Sequence, residues 1–235
     1  MYNILASGSK GNAVIIADRI LIDCGVAYKT LKPFVKDLSL VLLTHIHSDH
    51  FNKRTIRKLA EERPGLLWMC GPWLASDLHD CGVSYIQIRA FVYGNKYHFV
   101  GHLCSKPMWV EPFRLVHDVP NCGYKMEVNG KKLIYATDTS RLDTDATGID
   151  LFLIEANYTE NELQERINRK LEAGEDYIYD MKVRDNHLSR ETATDFYMKY
   201  SSPNSELIFL HVHQDREPIC DELPDAQATE GVMDV

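Results

Sequence analysis

The chain has 235 residues and a mass of 27.0 kDa, 45% hydrophobic and 26% charged, with 26 Lys and Arg against 34 Asp and Glu for a net charge of −8. That length suits one well-buried domain, and no apolar run approaches the roughly 18 residues a membrane-spanning helix needs. The net negative charge, with no basic block, argues against a broad electrostatic footprint on nucleic acid.

Met1 to Gly8 lacks a basic segment and a long apolar core, so it reads as a first strand rather than a signal peptide, and a cytoplasmic location is expected. Ile4-Leu5-Ala6, Ala13 to Ala17 and Ile20 to Asp23 alternate as an antiparallel meander, turning at Ser7 to Asn12 and at Asp18-Arg19. Leu38 to Leu43 is a short apolar run without a helical stripe, hence a buried strand. Lys53 to Arg63 carries Ile56, Leu59 and Ala60 at helical spacing and stops at Pro64-Gly65. A strand over Leu66 to Met69, a short helix after Pro72 and a strand over Ser84 to Ile88 continue the α/β alternation.

Residues 91 to 116 read as β-structure again, rich in aromatics at Phe91, Tyr93, Tyr97, Phe99 and Trp109. These rings suit a base-stacking wall, a dimer contact or ordinary strand packing equally. Asn129-Gly130 predicts a type I′ hairpin between Tyr124–Val128 and Lys132–Ala136. Asp150 to Glu155 is a further strand, and Thr159 to Glu162 is a capping box for a helix with the stripe Leu163, Ile167 and Leu171 that ends at Gly174. Ser189 caps a helix through Tyr200 that buries Ala193, Phe196, Tyr197 and Tyr200; Glu206 to Val212 is the last strand. Such near-continuous apolar strands need cover on both faces, which two sheets with outer helices supply: an αββα sandwich in a single domain over residues 1–214. Residues 215–235 form an acidic tail with little periodic apolar content and are expected to be poorly ordered. Cys24, Cys70, Cys81, Cys104, Cys122 and Cys220 include no CxxC pair and read as free thiols.

The chemistry is concentrated in Thr44-His45-Ile46-His47-Ser48-Asp49-His50, on a loop where the apolar run stops. Three imidazoles and a carboxylate packed this tightly bring no packing benefit and would repel one another if protonated; their donor types suit zinc, manganese or iron. Three other strands end the same way, in His117-Asp118, in Asp138-Thr139 and in His211. Open α/β sites gather at such carboxyl ends. His213, two positions on, competes with His211, which directly ends its apolar run. Asp23 reads as a brace for the ligand loop, and His79, His98 and His102 as surface or loop residues.

With these motifs, together with Ser7-Gly8-Ser9-Lys10-Gly11-Asn12 and Leu21-Ile22-Asp23-Cys24-Gly25, nearly the whole chain resembles the metallo-β-lactamase-fold hydrolases. Ala136-Thr137-Asp138-Thr139, Ile154-Glu155-Ala156-Asn157-Tyr158 and Asn186-His187-Leu188-Ser189 are most similar to the phosphodiesterase branch with tRNase Z, WalJ-type nucleases and the anti-Pycsar cyclic-nucleotide phosphodiesterases of phages. The compact form also resembles hydrolases carried by phages and mobile elements.

The resemblance implies two divalent ions, zinc foremost and manganese as the alternative. His45, His47 and His117 would hold the first, Asp49, His50 and His211 the second, and Asp138 would bridge them. A hydroxide between the ions, oriented by Asp49, would attack a nucleotide phosphodiester in nucleic acid or in a cyclic nucleotide. His187 would stabilise the charge or protonate the leaving oxygen, with Glu155 orienting its ring. A homodimer is implied by resemblance alone. Esters, lactones and thioesters are alternative substrates for the same ligand pattern, and a non-catalytic metal-binding protein is a third class.

Overall fold

The computed structural model describes residues 1–100 and 107–212. Its strands form two six-stranded sheets. In the first, β1 (Tyr2–Ala6), β2 (Ala13–Ile16), β3 (Ile20–Ile22), β4 (Leu40–Leu42), β5 (Leu67–Cys70) and β6 (Ile88–Ala90) lie side by side in chain order. In the second, β7 (Tyr97–Phe99), β8 (Met108–Leu115), β9 (Asn121–Val128), β10 (Lys131–Ala136), β11 (Leu151–Glu155) and β12 (Glu206–Leu210) do the same. The helices are α1 (Tyr28–Leu31), α2 (Lys53–Glu62), α3 (Ala75–Asp80), α4 (Glu160–Ala173), α5 (Ile178–Asn186) and α6 (Arg190–Tyr200).

Successive side chains of a strand face opposite ways, and here each way is a core. Val14, Ile16, Leu40 and Leu42 of the first sheet meet Leu133, Tyr135, Leu151 and Leu153 of the second in the central layer. The intervening Ile15 and Val41 pack instead on Leu31, Ile56, Leu59 and Leu78 of α1, α2 and α3. Ile134, Phe152 and Ile154 pack outward on Ala193 and Phe196 of α6. The result is the expected αββα sandwich.

Pairing directions explain where the site falls. β3, β4, β5 and β6 pair parallel, as do β10, β11 and β12, and β8 runs with β10 because two antiparallel steps separate them. The carboxyl ends of β8, β10, β11 and β12 therefore share one edge. Asn129 at φ 56° and Gly130 at φ 80° make the left-handed turn the hairpin required. Asn52 caps α2 by accepting from the Arg54 and Thr55 amides, Thr159 caps α4 and Ser189 caps α6.

Three expectations are corrected, and one helix is added. Residues 84 to 87 are not strand: Tyr85–Gln87 form a single 3₁₀ turn with Tyr85 and Ile86 exposed, and β6 begins only at Ile88. Leu171 is 52% exposed, so the buried stripe of α4 stops at Ile167. The last strand ends at Leu210, because His211 turns left-handed at φ 50°. Helix α5 was not foreseen; it lacks a side-chain N-cap, and its Ile178, Tyr179 and Met181 are exposed. Cys24, Cys70, Cys81 and Cys122 are free and buried. Cys104, His102, His213, Cys220 and the expected tail lie outside the described residues. Among the described residues, no helix is long and apolar enough to cross a membrane.

α5 is held to α4 by charge as well as by Leu163, Ile167 and Val183. The Asp180 side chain, 1% exposed, lies 2.5 Å from Arg166 Nε and 2.6 Å from Lys170 Nζ. Burial pushes the Asp180 carboxyl up, but Lys170 and Arg166 outweigh it and hold it below the ordinary carboxylate value. A depressed folded-state value stabilises the fold fully above the unfolded one, about pH 4, and the contribution is lost as pH falls through the lower folded value. Asp180→Asn is expected to cost about 1–3 kcal/mol at neutral pH, toned down because both cations are partly exposed. In urea unfolding the deficit of the variant should shrink as pH falls below about 4, and a deficit independent of pH would contradict the charge argument.

Gly25 sets how closely two segments approach. Cys24 N donates to His50 O (2.8 Å), Asn52 N to Cys24 O (3.0 Å) and Gly25 N to Asn12 O (2.9 Å), so a Cβ at Gly25 would collide with the Asp49 carbonyl oxygen. At Gly65 an added Cβ meets nothing. Gly25→Ala is expected to destabilise by about 3 kcal/mol or more while Gly65→Ala stays within about 1 kcal/mol, both read by denaturant unfolding.

Candidate metal centre

The site is built outward from a buried carboxylate. Asp23 follows β3 and is fully buried; its Oδ1 accepts from Thr44 N (3.0 Å) and Thr44 Oγ1 (2.9 Å), its Oδ2 from His50 Nδ1 (2.7 Å) and Tyr135 OH (3.2 Å). Asp23 thus braces the loop as expected, and Tyr135 ties it across the central core to the second sheet. Tyr124 OH donates to Leu43 O (2.6 Å) and fastens the same strand end again.

Three imidazoles have their outer nitrogen occupied by protein. His45 Nδ1 lies 3.0 Å from Thr44 Oγ1, His50 Nδ1 is held by Asp23, and His117 Nδ1 donates to Asn186 O (3.2 Å). In each case Nε2 is left facing the others, the arrangement that metal-ligating histidines use to fix tautomer and ring orientation. His45 Nε2 is buried and has no hydrogen-bond partner, which is costly unless a cation fills the gap.

Ligand atoms of His45, His47 and His117 lie within 4.8 Å of one another, as do those of His45, His50 and Asp138, and those of Asp138, Glu155, His187 and His211. His117 Nε2 is 3.3 Å from His47 Nδ1, His50 Nε2 is 2.9 Å from Asp138 Oδ2, and His211 Nδ1 is 3.1 Å from Asp138 Oδ1. Asp138 therefore presents one oxygen to His50 and the other to His211. Asp49 stands at the rim, its Oδ2 3.5 Å from His50 Nε2 and outside those three groups. Glu155, fully buried, accepts from His187 Nδ1 through one oxygen and from Thr139 N (3.0 Å) through the other.

Electrostatics fit the same picture. Burial, then repulsion from His50, holds the His45 imidazolium well below its ordinary value, so the ring is neutral and its lone pair is available. Burial also lowers His117. Burial would lower His50 and His211 too, but Asp138 outweighs it at both, aided by Asp23 at His50; His50 is raised well above its ordinary value and His211 to about 10. Protons on these rings supply the positive charge Asp138 needs, and a divalent ion would supply more of it from the same place. The residues present fit metal ions.

An open cleft of about 200 Å³ covers the cluster, lined by His47, Asp49, His117, Asp138, His187 and His211 with Tyr179 and Val183 of α5. All nine residues singled out for chemistry from the sequence thus meet in one place. Others were missed. Asn12 Nδ2 reaches His50 Nε2 (2.7 Å) and the Gly8 and Asp49 carbonyls (3.1 and 3.3 Å). Asp118 Oδ1 lies 3.2 Å from His117 Nε2 and 3.5 Å from His47 Nε2. Ser7 Oγ accepts from His211 N (2.6 Å), joining the first turn to the last strand end. The Ser-Gly-rich turn at 7–12 was the available signal for Asn12 and Ser7. His79 stacks on Tyr85 with centroids 4.0 Å apart, away from the cleft.

Comparison with known proteins agrees with this architecture. Exodeoxyribonuclease WalJ of Streptococcus pneumoniae is 27% identical over 179 residues, 67% of this chain and 62% of that protein. The chain thus spans less than two thirds of that relative's length. The metallo-β-lactamase fold protein YhfI from Bacillus subtilis superposes with a TM-score of 0.66 at 16% identity, covering 91% of this chain and 86% of that one. The short form of human tRNase Z gives the same TM-score and identity over 91% of this chain and 92% of its own. The β-lactamase superfamily domain profile matches residues 18–212, from the turn before β3 to the residue after His211, and the chain belongs to that family, with the metallo-β-lactamase fold.

Proposed function

We propose that the protein is a dinuclear metal-dependent phosphodiesterase that hydrolyses nucleotide phosphodiester bonds. The observation that carries this reading is the pairing of His187 with buried Glu155 against the Asp138 edge of the cluster. Esters and phosphodiesters both expel an alkoxide that an acid can protonate, but the phosphodiester transition state carries an additional negative charge, which a cationic imidazole beside the metals is suited to stabilise. The similarity to WalJ and tRNase Z, an exodeoxyribonuclease and a tRNase by name, supports it.

In this reading His45, His47 and His117 hold one ion, Asp49, His50 and His211 the other, and Asp138 is shared. Imidazole and carboxylate donors favour zinc, with manganese next. When bound, the ions would supply a hydroxide near neutral pH and charge for the phosphoryl oxygens. The chain's residues do the rest. Burial would lower His187, but the hydrogen bond and charge of Glu155 raise it and favour its protonated form, with Nδ1 on Glu155 and Nε2 left for the leaving oxygen. Asp49, at the rim, is placed to orient the attacking water.

Protein purified without chelator should contain about two divalent ions per chain, and His45→Ala and Asp138→Ala should each lose metal while keeping the far-ultraviolet spectrum. Unchanged metal content in both would sink the ligand assignment. Hydrolysis of bis-p-nitrophenyl phosphate, tested against a lactone and a thioester, separates the phosphodiesterase from an acyl hydrolase.

Removing the acid has a substrate-dependent signature. His187→Ala is expected to slow an oligonucleotide, whose leaving group needs a proton, by about 10²–10⁴-fold, and to slow bis-p-nitrophenyl phosphate far less. Equal losses on the two would assign His187 to charge stabilisation instead of proton transfer.

A further inference from the structure

A second cleft, of about 370 Å³, adjoins the first and shares His117 and Asp118 with it. It is lined by Trp73 and Tyr93 together with Arg114 and the segment from Leu115 to Asn121. The two rings lie 5.9 Å apart at 32°, and Phe91 backs Trp73 edge-on at 5.7 Å. Tyr93 is 37% exposed and anchored by its hydroxyl, which donates to Asn121 O (2.9 Å). Trp73 owes its place to Gly71, where a Cβ would run into the indole ring. Its N–H has no acceptor among the described residues, although buried indoles normally find one.

Arg114 supplies the charge. It is exposed and has no carboxylate partner among the described residues, in a chain whose net charge is −8. It precedes His117 by three residues, at most about 10 Å of extended chain. Asp118, the acidic residue of this cleft, is turned toward the His47 and His117 nitrogens.

We propose that this cleft holds the nucleotide next to the scissile phosphodiester of a single-stranded nucleic acid, its base against Trp73 and Tyr93 and its far phosphate on Arg114. The proposal rests on the phosphodiesterase reading and narrows it. Rings exposed on one face take bases of any sequence, provided the base is unstacked from a partner strand. A cationic side chain outside the metal cluster suits a second phosphate, which a cyclic mononucleotide does not have. A strand passing from the metal cluster over His117 meets Arg114 and the rings in turn.

The experiment compares kcat/KM for single-stranded oligothymidylate, a 3′,5′-cyclic nucleotide and bis-p-nitrophenyl phosphate in the metal-loaded protein. For Arg114→Gln and Tyr93→Ala, the loss on the oligonucleotide should exceed the loss on either small substrate by about tenfold, and Tyr93→Phe, which keeps the ring, should retain the parent's ratio. Gly71→Ala, which displaces the indole without touching the cleft's charge, should follow Tyr93→Ala. Arg114→Gln should also flatten the slope of log binding constant against log salt by about 0.7 for fluorescein-labelled oligothymidylate. Losses equal on all three substrates, or an unchanged salt slope, would overturn the proposal. If the parent hydrolyses no phosphodiester, the phosphodiesterase reading fails, and the anisotropy titration still decides the cleft. If it cleaves bis-p-nitrophenyl phosphate and binds no oligonucleotide, the cleft assignment alone fails.

Discussion

The constraint on which this protein turns is a carboxylate with no access to water. Asp23 sits fully buried at the end of β3, where an ionised group is tolerated only if hydrogen bonds replace its hydration. Its four donors come from three places: the start of the histidine loop, the end of that loop, and β10 of the opposite sheet. Satisfying one anion therefore sets the loop's entry, turns His50 so that Nε2 faces inward, and locks the two sheets to each other. Packing of the sandwich and geometry of the cluster are consequences of the same bonds.

A second regularity is where strands stop. Asp23, Asp138 and His211 each follow a strand and each adopt positive φ, at 60°, 55° and 50°. Residues with a Cβ avoid that region, and holding one there costs of the order of 1–3 kcal/mol. In each case the turn swings a polar side chain off the sheet and over its edge. The strain is supported by what surrounds it: Asn121 Nδ2 donates to Asp138 O (2.6 Å), and Asn157 Nδ2 to His211 O (3.2 Å). Backbone that would be a liability in a core strand here aims ligand atoms to a common point.

How much of this was legible depended on the length scale of the signal. The apolar runs ending in His45, His117, Asp138 and His211 announced both the strands and the edge, because strand burial and polar strand ends are local patterns. The capping box at Thr159, the N-cap at Ser189 and the Asn129-Gly130 turn were legible for the same reason. Helix α5 was not. Its stability comes from Val183 against Leu163 and Ile167 and from Asp180 between Arg166 and Lys170, contacts with another helix that leave no stripe of its own. Asn12 and Asp118 stood in motifs of the sequence but were given no role, because a lone Asn or Asp in a turn has many uses, and only proximity to His50 or His47 assigns one.

By itself, the sequence determined the donor types, the layered fold and the edge at which chemistry gathers, since each follows from residue identity and short-range periodicity. Only the tertiary structure decided how the donors are arranged: Asp138 with one oxygen at His50 and the other at His211, Asp49 at the rim, Glu155 bonded to His187 and close to His211. It also placed Trp73, Tyr93 and Arg114, remote in sequence, in a cleft bordered by His117. Those are relations across both sheets, fixed by how two cores stack, and no spacing along one chain encodes them.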